Sequence, residues 1–338
     1  RLSPLVDALL MHNREIYARY DDSVWYAPKA QSVQPIRRSR GYAPFPVRLP
    51  FQAGQVLATG AELKNTFCVT RDDFAFVSQH IGDMENLETL EHFETAIELY
   101  RHLFRIEPER IAHDLHPGYL GTRYAQTAFP VPELRVPLQH HHAHVASCLA
   151  DNGWPPDGGP IIGVAWDGTG YGSDGHIWGG EFFVGGYDGF RRVAHLEYLP
   201  MPGGDAAILN PWRLAVGYTD ALSLDPPTFA GASEQELRIV RQQVDRRLNA
   251  PLTSAAGRLF DAVAALVGVR ERVTYEAQAA IELEMLATGW ASTQPSGGGP
   301  PAFRFDVEQD GDVSVLRLRP LLAVSYTHLR AHETAYTI

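Results

Sequence analysis

The residues best suited to chemistry stand together at Gln139-His140-His141-His142-Ala143-His144. His140 and His144 are four apart, which puts both imidazoles on one face of a helix, where their nitrogens can meet at one metal ion. A solvent-facing helix start carrying a run of histidines has the same spacing, so a third ligand must decide. Asp167 offers one. It follows the apolar run Pro160 to Trp166, read as a buried strand, where the chain turns through glycines, and α/β sheets present their ligands at such strand ends. Two imidazoles and a carboxylate leave open positions on Zn²⁺ or Fe²⁺, so an ion held by His140, His144 and Asp167 is placed to act as a Lewis acid. These three are the candidate catalytic and metal-ligating residues.

Two glycine-containing segments suit phosphate. Gly168, Thr169, Gly170 and Gly172, in an expected turn from Asp167 to Gly172, offer backbone N–H groups and a hydroxyl. Lys64, Asn65 and Thr66, closing the segment that starts at Gly60, offer the same with an added cation. Plain hairpin chemistry is the alternative for both. Pro202-Gly203-Gly204-Asp205 suits a backbone approach to a ligand and a tight turn equally. Thr253 or Ser254 is the expected cap of the following helix, on which Asp261 faces either a cleft or, more commonly for a helical aspartate, solvent.

The elements that must position these groups alternate between meanders and helices. Residues 1–50 read as loop-rich and basic, because the prolines near Tyr42 to Pro46 forbid helix or central strand. Strands are expected at Val56 to Thr59, Asn65 to Thr70 and Phe74 to Ser78, with turns at 60–64 and 71–73. Leu90, Phe93, Ile97, Tyr100 and Phe104 recur at helical spacing and predict an amphipathic helix over 87–104. A strand at 110–113, a helix at 119–128, a strand at 135–138 and a helix at 141–151 follow. The pattern then restarts, with strands at 160–166, 177–184 and 191–198 and helices at 210–222, opened by Asn210-Pro211, then 234–248, 254–266 and 275–290. A glycine-rich loop at 295–301 leads to a hairpin at 303–307 and 313–318. Two meanders, each followed by helices, predict a duplicated α/β architecture.

Composition narrows the partners. The 338 residues carry a formal net charge of -11, with 45% hydrophobic and 20% charged residues, an ordinary globular balance that sets nucleic acid aside as the main partner. No run approaches the roughly 20 apolar residues of a membrane-spanning helix, and no secretory leader opens the chain, so no membrane partner is expected and the location reads as cytoplasmic. Cys68 and Cys148, in apolar surroundings and without paired spacing, read as reduced buried thiols. The start at Arg1 reads as an internal cut. Residues 324–338 resemble a translated sequencing adapter and are expected to be non-native.

Together, Leu57 to Thr66, Ser78-Gln79-His80-Ile81-Gly82-Asp83, His113-Asp114-Leu115-His116-Pro117, the histidine run, Asp167 to Gly172 and Pro202 to Asp205 resemble the TsaD-like domain of HypF carbamoyltransferases, in the family's order over about Pro50 to Trp290. The segment ending at Arg38 to Pro44 resembles the end of the preceding YrdC-like domain. The resemblance implies an actin-like, duplicated two-lobed α/β ATPase fold over 50–323, truncated at its C-terminus and preceded by a YrdC-like tail over 1–49. It assigns His140, His144 and Asp167 as ligands of zinc or iron. It matches the Thr169-to-Gly172 turn, Gly203, Gly204 and Asp261 to nucleotide contact; Gly168, Asp205, Gly257, Lys64, Asn65 and Thr66 are the further nucleotide-binding candidates, and magnesium is expected with the ATP. It further implies that carbamoyl phosphate and ATP give carbamoyl-adenylate and pyrophosphate, and that the carbamoyl group passes to the C-terminal cysteine of HypE, toward the cyanide ligands of nickel–iron hydrogenases. Ala277 stands where the family usually has glycine, and a further aspartate ligand expected near the family domain's end is missing, so this chain alone is expected to lack full activity. A related tRNA threonylcarbamoyl transferase and a non-catalytic docking module are the rival readings.

Overall fold

The computed structural model describes residues 3–29, 32–225, 228–293 and 303–325. Contacts divide the chain into two units, Arg1–Pro137 and Leu138–Ile338. The expected glycine-rich loop at 295–301 lies outside the described residues, as does the suspected tail from 326 onward.

In the first unit, β1 (Val24–Lys29) and β2 (Ser32–Arg37) form an antiparallel pair within the stretch expected to be loop. A five-stranded sheet follows, built from β3 (Val47–Ala53), β4 (Val56–Ala58), β5 (Cys68–Val77), β6 (Arg110–Asp114) and β7 (Arg135–Leu138) in the order β3-β5-β4-β6-β7. The expected meander is altered in two ways. The segments on either side of 71–73 join into the single strand β5, with Asp72 at φ +55, and the missing strand comes from β3. Pro50 is tolerated in β3 because that strand is at the sheet edge, where a lost N–H breaks no inner ladder. The helix α1 (Leu87–Phe104) has the predicted bounds: Asn86 Oδ1 accepts the Thr89 N–H at 2.9 Å, and Arg105 ends it in the left-handed conformation. Its buried Phe93, Ile97 and Tyr100 pack with Phe67 and Leu57, and Ala125 of α2 (Leu120–Ala128) joins them.

The second unit opens with α3 (His140–Asp151) and continues into β8 (Ile161–Tyr171), β9 (Ile177–Gly186) and β10 (Gly189–Leu196), an antiparallel meander. The short β11 (Leu199–Pro200) leads to α4 (Asp205–Leu209), α5 (Pro211–Ala221) and α6 (Glu234–Arg246). The chain then runs through β12 (Leu252–Thr253), α7 (Ala256–Leu266), α8 (Gln278–Thr293), β13 (Asp306–Asp310) and β14 (Val313–Arg317). The strand β14 lies parallel to β10 and closes a hairpin with β13. The core sits where α5, α6 and α7 meet the sheet, around Trp212, Leu214, Val216, Tyr218 and Ala262.

Several local expectations are corrected here. The run at 160–166 is not buried on both faces: Ile162, Val164 and Trp166 point outward, Trp166 with 62% of its surface exposed. Cys148 is exposed, while Cys68 is only partly so. Asn210 holds the N-cap position of α5 but its side chain caps nothing, because its amide donates back to Ala206 O. The N-cap of α7 is Ala255, since Thr253 Oγ1 accepts the Ala255 N–H and Ser254 is drawn to Glu181. Ala277 holds φ +59, a left-handed conformation that glycine adopts without steric cost.

Candidate metal centre

The centre is built from the start of α3 and an irregularity in β8. Gln139 is the N-cap of α3, its Oε1 accepting the His141 N–H at 2.6 Å and the His142 N–H at 3.2 Å, while its Nε2 donates to Tyr171 O at the end of β8. One glutamine thus starts the helix and ties it to the strand. From that start His140 and His144 project one turn apart, their Nε2 atoms 3.1 Å from each other.

The expected glycine turn from Asp167 to Gly172 does not form; β8 runs through it to Tyr171, and the reversal comes at 172–176. Trp166 pairs with Gly180 and Gly170 with Trp178, so Asp167, Gly168 and Thr169 bulge out opposite Gly179. Bulges re-aim side chains, and this one directs Asp167 onto α3. Asp167 Oδ2 lies 3.2 Å from His140 Nε2, 3.6 Å from His141 Nε2 and 3.8 Å from His144 Nε2. Gly170 passes directly against the His140 and His141 rings, where a Cβ would collide.

The donor set fits a divalent cation. Two ligands of a tetrahedral Zn²⁺ at 2.0–2.1 Å stand about 3.3 Å apart, and the separations among His140, His144 and Asp167 bracket that value. Asp167 Oδ2 is buried with no hydrogen bond aimed at it, and leaving such an atom unsatisfied costs about 1–3 kcal/mol or more. Burial pushes the Asp167 carboxyl up, but the His140 and His144 imidazoles outweigh it and hold the group well below the usual carboxylate range.

His141, not among the residues expected from the sequence, is fully buried beside the three. Burial first, then His140, lowers its pKa to about 3, so its ring is neutral at physiological pH. Because Gln139 Nε2 sits 3.2 Å from His141 Nδ1, that nitrogen is the acceptor and the proton rests on Nε2, facing Asp167. At 3.6 Å from Asp167 Oδ2 that N–H faces the carboxylate without bonding it, and His141 offers no lone pair to a cation held there. Asp167 beside a histidine-rich helix start was the readable signal; the third imidazole needed the packing.

Of the residues singled out for nucleotide, the bulge and α7 come together: a Cβ on Gly257 would stand 2.8 Å from Gly168 Cα. One turn on, Arg258 and Asp261 form a buried ion pair at 2.8 Å, Arg258 being a residue the sequence did not single out. The backbone donors of the bulge are partly engaged, the Gly168 N–H by Asp167 Oδ1 and the Gly172 N–H by His176 O, while the Thr169 hydroxyl donates to Gly168 O. Gly203 and Gly204, both at positive φ, carry the chain from β11 to Asp205 at the start of α4, with the Gly203 N–H given to Asn249 O. Lys64, Asn65 and Thr66 belong to the first unit. There the Lys64 N–H donates to Asp83, and the buried Asn65 amide donates to Thr59 O and Ala61 O, fastening its own loop.

A sequence-family model described as the HypF Kae1-like domain matches residues 52–151, and one described as Carbamoyltransferase, Kae1-like Domain, second subdomain, matches residues 163–338. Carbamoyltransferase HypF2 of Cupriavidus necator is 44% identical over 306 residues, 89% of this chain and 37% of that protein. Carbamoyltransferase HypF of Rhodobacter capsulatus is 41% identical over 308 residues, 88% and 41% of the respective lengths. The chain spans about two-fifths of the length of these curated relatives. Among solved structures, full-length HypF in its phosphate- and nucleotide-bound form superposes with a TM-score of 0.85 and 39% identity over 98% of this chain and 50% of that one. HypF of T. kodakarensis superposes with 0.78 and 33% over 95% and 41%. The mixed α/β architecture expected from the sequence is that of these structures, and the chain belongs to the HypF carbamoyltransferase family, within its Kae1-like domain.

Proposed function

We propose that this chain is the Kae1-like part of an ATP-dependent carbamoyltransferase of nickel–iron hydrogenase maturation, working in the cytoplasm. Carbamoyl phosphate, water and ATP give carbamoyl-adenylate, phosphate and pyrophosphate, and the C-terminal cysteine of HypE takes the carbamoyl group, releasing AMP. The observation that supports this most is the convergence of His140, His144 and Asp167 on one point, in a chain of this family. Zinc or iron held by those three would supply a Lewis acid for the carbamoyl oxygen. The remaining steps are for the protein: His141 keeps its proton toward Asp167, and the HypE thiolate attacks the carbamoyl carbon as the bond to the AMP phosphate oxygen breaks. Gly168, Thr169, Gly170, Gly172, Gly203, Gly204, Asp205, Gly257 and Asp261 are the proposed nucleotide contacts of the second unit, with magnesium accompanying the phosphates, and Lys64, Asn65 and Thr66 those of the first. The protein's own Cys68 and Cys148 have no covalent role. In keeping with a cytoplasmic enzyme, no helix among the described residues is long and apolar enough to cross a membrane.

The test has two arms. Metal analysis of the full chain is expected to find one zinc or iron per chain, lost in His140→Ala/His144→Ala; equal metal in both proteins removes the centre and leaves the docking-module reading. The longer parent protein, given ATP and carbamoyl phosphate, is expected to release pyrophosphate and carbamoylate HypE. Modification of tRNA in its place would assign the relative's activity.

A further inference from the structure

Glu181 is fully buried on β9, yet it is ringed by donors. Its Oε1 accepts the N–H groups of Gly179 and Gly180, each at 3.1 Å, and the Ser254 hydroxyl at 2.5 Å. Its Oε2 lies 2.6 Å from both Nε and Nη2 of Arg192, whose guanidinium also stacks on Trp178 at 3.9 Å and reaches Asp174 at 3.4 Å. Removing a charge from water without such compensation is prohibitive, so this carboxylate is held by an environment assembled from three separate segments.

The two glycine donors carry the argument. Successive N–H groups of a regular strand point to opposite sides, but here both turn onto one oxygen, and β9 departs from the pleat at Gly179, with φ +151. Gly179 is the residue that Asp167, Gly168 and Thr169 bulge against. A Cβ on it would stand 2.7 Å from Asp167 O and 2.9 Å from Ala255 Cβ, so strand, bulge and the start of α7 meet there with no room to spare. The Ser254 contact fastens the same carboxylate to the residue before that helix cap.

We propose that Glu181 is a positioning residue for the metal centre: it gathers onto one oxygen the N–H groups of Gly179 and Gly180, which a regular strand would turn to opposite sides, holds the bulge open, and so aims Asp167 at His140 and His144. Through Ser254 it also seats the start of α7 on that bulge, which couples the cation site to the Arg258–Asp261 pair. The inference rests on reading His140, His144 and Asp167 as a cation site, and its test separates the two ideas.

The full chain, its Glu181→Gln variant and its Ser254→Ala variant are compared in three measurements: the Zn²⁺ dissociation constant by chelator competition, the visible spectrum of the Co²⁺-loaded protein, and amide exchange of the metal-free protein. Glu181→Gln is expected to weaken Zn²⁺ by at least about tenfold, as groups that orient a ligand do, to alter the Co²⁺ bands, and to speed exchange at 166–170 while α5 stays protected. If that variant does not fold, Ser254→Ala decides; it is expected to shift the same readouts less, at an unchanged unfolding midpoint. Wild-type affinity, spectrum and exchange in a folded variant overturn the proposal. A wild-type chain that binds neither Zn²⁺ nor Co²⁺, with faster exchange at 166–170 in the variant, removes the cation site but leaves Glu181 as the residue that holds the bulge.

Discussion

Replacing Asp261 with asparagine gives a sharp test of the electrostatics beside the bulge. Asp261 is 3% exposed and its partner Arg258 is 7% exposed. Burial pushes the Asp261 carboxyl from its ordinary 3.8 up to about 6, and the Arg258 guanidinium, which pulls the other way, only partly offsets it. The sign follows from proton binding: above pH 4 the unfolded chain has released this proton while the native protein keeps it. Stability therefore falls as pH rises from about 4 through about 6 and levels off above that. At about 1.4 kcal/mol per pH unit, the whole effect is about 3 kcal/mol, of which about 2 kcal/mol lies between pH 4.5 and 7. Asparagine does not titrate, so Asp261→Asn is expected to lose that much of the wild-type decline between the two pH values. Urea unfolding at pH 4.5, 5.5 and 7, with m values checked for constancy, reads it directly. A constant offset between the two proteins reflects the altered ion pair and does not bear on the titration; the slope does. Parallel stability–pH curves for the two proteins would refute the reasoning.

Two further outcomes follow from local geometry. Ser233 and Glu236 form a reciprocal capping box at the start of α6, with the Ser233 N–H given to Glu236 and the Glu236 N–H to Ser233 Oγ; Ser233→Ala is expected to cost about 1 kcal/mol in urea unfolding, and no change would discount the box. A thiol reagent at pH 8 is expected to label the exposed Cys148 quickly and Cys68 only on unfolding, because Cys68, though partly exposed as a residue, has a desolvated thiol pushed up to about 12; equal rates on the folded chain would contradict this.

What could be read from the sequence was what short-range physics decides. The spacing of Leu90, Phe93, Ile97, Tyr100 and Phe104 gave α1 its bounds, because a helix buries one face whatever it packs on. The pairing of His140 with His144 was legible for the same reason, since one helical turn joins them. The bulge was not. Glycines at 168, 170 and 172 suit a turn and a distorted strand alike, and the choice falls to the N–H groups that Glu181 captures, which depends on Arg192 and on Ser254, far along the chain. Nor could composition foresee that Asp261 would be buried with Arg258, or that Pro50 would sit in an edge strand; both depend on tertiary neighbours. The helix caps failed likewise: Ser254 has a cap's chemistry but is claimed by a stronger acceptor, the buried Glu181.

The position of His140 as the first residue of α3 has a consequence of its own. The opening turn of any helix lacks the internal bonds that steady its middle, so His140 rides on the part of α3 most prone to fray, and the restraint there comes from Gln139, which grips two amides of that turn and Tyr171 O at once. The placement of His140 beside Asp167 thus depends on a glutamine outside the candidate ligand set, and not on the packed centre around Trp212.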